Sequence, residues 1–355
     1  MRSDQLPSVN NSAAEDLRKN KIKCVSFLSV LFVLLFGVAL LSLRAGSYNT
    51  PVAELIKGVF GRAENDKINI VVRNNRLPRI CTALLAGAGL GTSGAVMQAI
   101  LHNPLASSST LGVSQGASFG AAFAIIVLNM GTVGAFGNMA IPVCAFVGSM
   151  GVALVILALS RIRQINAQGI VLAGTAISAM FSGATTLMQY FANEIELTTL
   201  VFWTYGCLSS TDWGDVGVMA VILLLVSVYY VLHRWDYNAL LSGEEIAVSL
   251  GINVKRLTMS NMVLCCLISS VIVSYVGLIN FIGLIAPHIV RLVVGNNHAY
   301  LIPGSAMAGA LILLLGDLFS RVVISPVVLP IGAITSFLGG PMFLYLLFKG
   351  GKKEC

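Results

Sequence analysis

The chain has 355 residues, of which 56% are hydrophobic and only 10% are charged, and its formal net charge is +7. A soluble domain carries about 25% charged residues, so this composition excludes an ordinary soluble protein and indicates an integral membrane protein. The apolar residues form separate stretches of roughly 20, the length that crosses the bilayer as a helix, without the ten-residue alternation of a β-barrel. We therefore predict an all-α bundle, whose basic charge indicates membrane orientation and lipid headgroups rather than a nucleic-acid partner.

Ten apolar runs predict about ten transmembrane helices in a compact bundle. In chain order they lie near residues 24–44, 77–101, 111–130, 138–160, 167–192, 214–233, 257–278, 279–295, 302–319 and 328–348. A polar tail, residues 1–23, precedes this transmembrane domain of residues 24–349, and a short tail, residues 350–355, follows it. An even number of spans places both termini on one side, and both tails are basic. The positive-inside rule therefore predicts that both termini are cytosolic.

The stretch RNNRLPR, residues 73–79, conflicts with this topology. Counting spans places the loop 45–79 outside the cytosol although it carries several basic residues. Either the span count is wrong by one, or a partner outside requires these charges.

Two glycine pairs predict where helices pack closely. Gly87 with Gly91, and Gly116 with Gly120, have the GxxxG spacing. Small residues at this spacing let helix backbones approach each other in lipid, where the hydrophobic effect gives little incentive for association. We expect the second and third spans to form the most tightly packed part of the bundle.

A polar stretch between the sixth and seventh spans, HRWDYNALLSGEEIAVSLGINVKRL, predicts a short helix. Ser242 and Glu245 have the spacing of a capping box, and Gly251 stands where a left-handed residue ends a helix, so the helix should run from Gly243 to Leu250. A capped amphipathic helix between two spans either lies on the membrane surface or inserts into a partner. The residues alone leave both alternatives open.

Other motifs indicate no chemistry in this chain. The GxSxG match at residues 112–116 falls in a membrane helix rather than after a strand, so we predict only a packing role for Ser114. No GxxxxGK[ST] motif occurs, and the scattered cysteines and histidines predict neither a disulfide framework nor a metal site. Asp317 and Arg321 are four apart and should pair along one helix face, whereas a proton relay would need more buried acids. An ion-coupled secondary transporter that uses Asp317 remains the alternative.

Five blocks, in order, resemble the permease subunits of the FecCD family. They are RLPR (76–79), SGAVMQAILHNPLASSSTLGVSQGASFGA (93–121), LSGEEIAVSLG (241–251), FIGLIAPHIVRLVVG (281–295) and LPIGAITSFLGGPMFLYLL (329–347). Members of that family belong to ATP-binding-cassette (ABC) importers for iron–siderophore complexes, haem, cobalamin and similar chelates. The resemblance implies a permease of the cytoplasmic (inner) membrane of a prokaryote that works as a homodimer with two ATPase subunits and an extracytoplasmic substrate-binding protein. The chain itself is then no enzyme and binds no cofactor, because ATP is used by the partner subunit.

The resemblance also assigns residues to three sites. It implies that the coupling segment, residues 241–251, contacts the ATPase through Ser242, Gly243, Glu244, Glu245, Ala247, Leu250 and Gly251. Similar permeases hold the binding protein by arginines that meet glutamates, which implies docking roles for Arg76, Arg79 and Arg321. Two strips close the inner mouth in the family, and they map here to Asn103, Pro104, Leu105, Gly174 and Thr175. The substrate would be an iron chelate or a cobalamin-like ligand moved inward.

Overall fold

A computed structural model describes residues 8–45, 51–130, 137–163, 167–324 and 327–350 of the chain. The outer parts of the two predicted tails, residues 1–7 and 351–355, lie outside these ranges. The described residues form helices and no strand, with these bounds in chain order: α1 Ser8–Arg44, α2 Val52–Val59, α3 Asp66–Ile70, a π-helical turn Val71–Arg76, α4 Leu77–Ile100, α5 Val113–Ala122 with a π-helical turn Phe123–Val127, α6 Gly137–Arg163, α7 Ala167–Phe191, α8 Glu194–Thr204, a 3₁₀ turn Leu208–Ser210, α9 Trp213–Leu232, α10 Arg234–Leu241, α11 Glu244–Ser249, α12 Val254–Val276, α13 Ile282–Val294, α14 His298–Val322 and α15 Ile331–Gly350.

The predicted spans agree with these helices. Seven helical segments of the described chain are long and apolar enough to cross a membrane, and three shorter apolar helices accompany them, at Val113–Val127, Ile282–Val294 and Ile331–Tyr345. Each overlaps one of the predicted spans. The uncertain boundary between the seventh and eighth spans is a break after α12, where Gly277 and Phe281 have φ values of 82° and 66°. The all-α membrane fold is therefore confirmed.

Both GxxxG pairs lie at helix contacts. A Cβ atom added at Gly87 or Gly91 of α4 would collide with the carbonyl oxygens of Gly309 or Ser305 on α14. Gly116 and Gly120 of α5 face α6 in the same way, against the carbonyl oxygens of Gly148 and Cys144. The predicted close packing of the second and third spans is confirmed. The segment that contains α4 is the most enclosed span, with 78% of its apolar window buried, whereas the window of α1 is 11% buried.

The stretch RNNRLPR is helical, so the predicted loop 45–79 does not extend to residue 79, whereas its placement outside the cytosol stays a prediction. Residues Asp66–Ile100 form one helical segment, in which Val71–Arg76 make a π-helical turn. The N–H of Leu77 bonds to the carbonyl of Val72, five residues earlier, and Pro78 has no N–H to offer to the carbonyl of Arg73. The indole Nε1 of Trp213 donates to that carbonyl instead, at 2.8 Å. The second span therefore begins earlier than its apolar run.

The candidate site residues lie at two opposite ends of the bundle. We call the end that holds α10, α11 and the loop 101–112 the coupling end. The opposite end, where Arg76, Arg79 and Arg321 lie, is the arginine end. α4 runs from the arginine end to the coupling end, and α14, its closest neighbour, runs in the opposite direction. This helix pair therefore extends between the two candidate sites.

Candidate functional site

The short helix of the coupling segment forms as predicted. α11 spans Glu244–Ser249, within one residue of the expected limits at each end. Gly251 has φ +86°, its N–H donates to the carbonyl of Val248 at 2.9 Å, and the N–H of Ile252 donates to the carbonyl of Ala247 at 3.1 Å. These two bonds form a Schellman motif, which satisfies carbonyls at the end of the helix. The C-terminal stop read from Gly251 is confirmed.

The predicted capping box at the other end of α11 is wrong. The N-cap is Gly243, with φ +117° and ψ +149°, and no side chain caps the helix. Ser242 ends α10 instead, because Gly243 adopts a backbone conformation that is nearly closed to other residues and turns the chain between the two helices. Ser242 therefore lies one residue too early to reach the N–H groups of α11.

The surface of the coupling segment combines apolar and acidic groups. Leu250 is 66% exposed and Ile246 49% exposed, and Ser242, Glu244, Glu245 and Gly251 are also exposed. Ala247 is fully buried. Its methyl group packs inside the chain and anchors the helix, and the contact of the segment with a partner stays a prediction.

The first predicted gate strip is a compact turn at the coupling end. The Asn103 side-chain oxygen accepts the N–H of Leu105 at 2.9 Å, and its carbonyl accepts the N–H of Ala106 at 3.1 Å. Pro104 lies between them and prevents a helix from continuing through the turn. Leu105 is 41% exposed, so the turn presents an apolar tip.

The second predicted gate strip packs on the far end of the same loop. A Cβ atom at Gly174 of α7 would come within 2.9 Å of the Leu111 Cα and of the Thr110 carbonyl oxygen. The structure thus brings α7 against the loop 101–112, although Gly174 meets residues 110–111 rather than the turn at Asn103. Thr175, the neighbouring gate residue, is exposed.

A row of exposed small and hydroxyl-bearing residues continues from Thr175 along α7. Ala179, Ser182 and Thr186 are also exposed and follow Thr175 at intervals of four, three and four residues, which places them on one side of the helix. Three of the four members carry a hydroxyl group. The sequence analysis missed this row, although the spacing of its members was readable. The described part of α7 carries no charged residue.

The arginine end contains a buried ion cluster. The Arg79 Nε donates to the Asp317 Oδ1 at 2.7 Å, and the Arg321 Nη2 lies 2.9 Å from the Asp317 Oδ2, close enough for an ion pair although poorly aligned for a hydrogen bond. The Asp317 side chain is fully buried, and those of Arg79 and Arg321 are 13% and 9% exposed. The predicted pairing of Asp317 with Arg321 is confirmed, and Arg79 joins it from α4.

The arginines also bind the end of α1. The Arg76 Nη1 donates to the Leu43 carbonyl at 2.7 Å, and the Arg321 Nη1 donates to those of Ser42 and Ala45 at 3.1 and 2.8 Å. Carbonyls in the last turn of a helix lack partners within the helix and carry partial negative charge, so guanidinium groups suit them. Arg76 is only 7% exposed. The three arginines are thus engaged within the chain, and docking to a partner would require part of the cluster to open.

Comparison with known proteins agrees with this architecture. Residues 33–349 match the family model that is described as the FecCD transport family. The chain belongs to the FecCD transport family. An ABC transporter permease protein of Methanocaldococcus jannaschii is 43% identical to this FecCD chain, over 93% of the chain and 96% of the relative. The hemin transport permease of Yersinia pestis is 33% identical, over 88% of this chain and 93% of the relative. The vitamin B12 import permease of Escherichia coli is 34% identical, over 96% of this chain and 99% of the relative.

A solved structure shares the fold of this FecCD chain. It is described as an inward-facing metal-chelate-type ABC transporter, and it matches with a TM-score of 0.80 and 30% identity, over 91% of this chain and 99% of its own. The family consists of transport permeases rather than enzymes. The chain is accordingly a multi-pass membrane permease of the ABC type.

Proposed function

We propose that this chain is the permease subunit of an ABC importer that moves an iron chelate or a cobalamin-like ligand inward across the cytoplasmic membrane of a prokaryote. The coupling segment is the observation that carries the proposal. It is a short helix with a Gly turn at one end and a Schellman stop at the other, and its acidic and apolar side is exposed. It follows α10, whose Leu240 carbonyl bonds to His102 in the loop that holds the gate turn. Such an element transmits the movement of a partner instead of absorbing it.

The proposed assembly contains two copies of the chain, two ATPase subunits at the coupling end and a binding protein at the arginine end. The coupling end would face the cytosol, as would both termini. The chain itself would bind no cofactor, because the ATPase subunits would use the ATP. The exposed row on α7 would line the pathway between the two copies, since its three hydroxyl groups suit a wet pathway better than lipid.

Docking of the binding protein would use Arg76, Arg79 and Arg321. Carboxylates of that partner would compete with Asp317 and with the α1 carbonyls for the guanidinium groups. An exposed salt bridge contributes only about 0 to 1 kcal/mol, so contacts repeated in both copies would be needed for useful affinity.

The ion-coupled alternative depends on Asp317. Its carboxylate is fully buried between Arg79 and Arg321. A proton relay needs a route between solvent and the acid, and here both carboxylate oxygens are held by arginines. This arrangement favours a structural role for Asp317 and an energy source outside the chain.

Reconstitution in proteoliposomes tests the proposal. The permease would be incorporated with its ATPase subunits and binding protein, and uptake of hemin, a ferric chelate and cyanocobalamin would be measured with ATP. We expect ATP-dependent uptake of one of them that is abolished by combining Glu244→Lys with Glu245→Lys, because both side chains are exposed on the partner-facing surface. Glu15→Lys with Asp16→Lys is the matched control, as these acids are exposed on α1, away from the coupling segment. Uptake that persists without the ATPase and stops on collapse of the proton gradient would favour the secondary transporter.

A further inference from the structure

His102 occupies an unusual position at the end of α4. Leu101 ends the helix, and His102 follows with φ +45°. The N–H of Asn103 donates to the carbonyl of Gln98 at 3.2 Å, and that of His102 to the carbonyl of Ala99 at 3.4 Å, which is the Schellman pattern. Glycine is the usual residue at this left-handed position because a Cβ atom disfavours it. Histidine is one of the non-glycine residues that do occur there, so the contacts of its side chain decide whether it has a role.

The imidazole of His102 contacts α10, the helix that leads into the coupling segment. Its Nε2 lies 3.0 Å from the Leu240 carbonyl oxygen, in the last turn of α10. The same carbonyl accepts the N–H of Gly243 at 3.1 Å, in the turn that joins α10 to α11. A carbonyl oxygen has two lone pairs and no proton, so it can accept both bonds and His102 must be the donor. The contact thus falls on the joint that carries the coupling helix.

The helix that carries Leu240 is held firmly by its surroundings. The Tyr237 hydroxyl of α10 donates to the Asn261 side chain of α12 at 2.7 Å, and both residues are fully buried. Burial raises the pKa of the Tyr237 phenol, so the donor proton is retained. Asn238 adds a second attachment, because its Oδ1 accepts the backbone N–H of His298 at 2.8 Å. α10 is therefore fixed to α12 and α14, and Leu240 presents its carbonyl from a rigid helix.

The gate turn follows His102 directly. Asn103 closes the turn by accepting the N–H groups of Leu105 and Ala106. His102 and Asn103 are adjacent in the chain, and the backbone N–H of each is bonded to the end of α4. A displacement of Leu240 would therefore be passed to Asn103 through a single side chain.

We propose that His102 is a positioning residue that couples the ATPase-facing segment to the gate turn through its hydrogen bond to Leu240. The inference rests on the proposed function. Without nucleotide in the ATPase subunits, the bond fixes the position of the gate turn relative to α10. When the ATPase subunits move the coupling segment, the bond carries that movement to Asn103, Pro104 and Leu105. Both the neutral Nε2–H tautomer and the imidazolium can donate this bond.

Two substitutions separate this role from helix capping. His102→Gly keeps the left-handed backbone and removes the donor, so a residue that only ends the helix would be replaced without loss. His102→Gln restores an amide donor at about the reach of the imidazole Nε2. His233→Ala is the matched control, because this histidine also lies at the coupling end but its ring contacts Tyr229, with the ring centroids 4.2 Å apart.

The experiment measures the gate in the complete transporter. A spin label attached to a genetically encoded keto amino acid at Leu105 of both copies reports the distance between the two gate turns, without ATP and in the vanadate-trapped state. We expect a nucleotide-dependent change in the unsubstituted protein, the His233→Ala control and His102→Gln. In His102→Gly, ATP hydrolysis should continue. The effect of vanadate trapping on the equilibrium between the two gate distances should be about fivefold smaller than in the unsubstituted protein, which is the equivalent of one hydrogen bond.

The outcomes distinguish this inference from the function on which it rests. If His102→Gly shows the full distance change, or if His102→Gln is as impaired as His102→Gly, the assignment of His102 is overturned while the transporter proposal stands. If the unsubstituted protein shows no ATPase-dependent change at all, the proposed function fails, and the inference fails with it.

Discussion

At the residue scale, Asp317 has the greatest consequences for the stability of the arginine end. Its carboxylate pairs with both Arg79 and Arg321, and its side chain is fully buried. Removing one member of a buried ion pair leaves the other charge without compensation, which costs about 3 to 5 kcal/mol. Asp317 also brings α4 and α14 together, and through Arg321 it reaches the end of α1.

Asp317→Ala should therefore lower the free energy of unfolding by several kcal/mol, on the order of the 3 to 5 kcal/mol measured for broken buried pairs. The measurement is thermal unfolding of the purified protein in detergent. Glu64→Gln is the control, because Glu64 is 85% exposed and meets Lys57 only at 3.5 Å, where a surface pair contributes about 0 to 1 kcal/mol. Equal unfolding temperatures for the two variants would show that the cluster contributes little.

Ser242→Ala should have almost no effect on stability, because Ser242 does not cap α11. Asn253→Ala should cost about 1 kcal/mol, since the Asn253 side chain accepts the N–H of Arg256 at 2.9 Å as the N-cap of α12. Both variants can be compared by chemical or thermal unfolding. A loss at Ser242 as large as that at Asn253 would contradict the observed cap.

At the scale of the elements, glycines decide which helices move together. The contact between α4 and α14 has no room for even a methyl group at Gly87 or Gly91. Such a contact depends on shape, because lipid gives little hydrophobic driving force for helix association. The same reasoning applies to α5 and α6 at Gly116 and Gly120.

Gly91→Ala should destabilise the protein by about 1 to 3 kcal/mol, the usual cost of an extra group in a packed core. Gly217→Ala on α9 is the control, since an added Cβ there meets no atom within 4 Å. That control should be neutral or slightly stabilising, because alanine favours a helix more than glycine does. Thermal unfolding of both variants in the same detergent gives the comparison, and a Gly91→Ala protein as stable as the control would refute close packing.

Sequence reasoning was most successful for elements whose signal is local. The apolar runs, the GxxxG pairs and the left-handed Gly251 each depend on a few neighbouring residues, and the structure confirms them. The environment of Arg79 was inaccessible in this way, because its partner lies 238 positions away. The cap at Ser242 failed for another reason. Its spacing matched the capping motif, but the conformation of Gly243 shifted the start of the helix.

At the scale of the whole molecule, the two ends of the bundle should respond differently to solution conditions. In the proposed assembly the arginine end would dock its partner through guanidinium groups released from the cluster, whereas the coupling end exposes Leu250 and Ile246 together with acidic groups. Salt screens exposed charges strongly and leaves apolar contacts intact, since the Debye length falls from about 10 Å at 0.1 M to about 3 Å at 1 M.

Binding of the substrate-binding protein should accordingly weaken as NaCl rises from about 0.1 M to about 1 M, with the ATPase interface less affected. Surface plasmon resonance with the permease in nanodiscs would give both affinities. Leu250→Ala should reduce ATPase binding at every salt concentration, because Leu250 is 66% exposed. A binding-protein affinity that does not change with salt would argue against docking through arginines.

The π-helical turn at Val71–Arg76 has a further consequence for the arginine end. A π-helical turn holds one residue more than an α-helical turn, so it rotates the preceding helix by about 100° relative to the span that follows. The turn thus sets a fixed angular offset between α2 and α3, which precede it, and α4, which follows it. Deleting Asn75 alone would swing α2 and α3 around the helix axis, and with them the Arg73 carbonyl that the Trp213 indole binds.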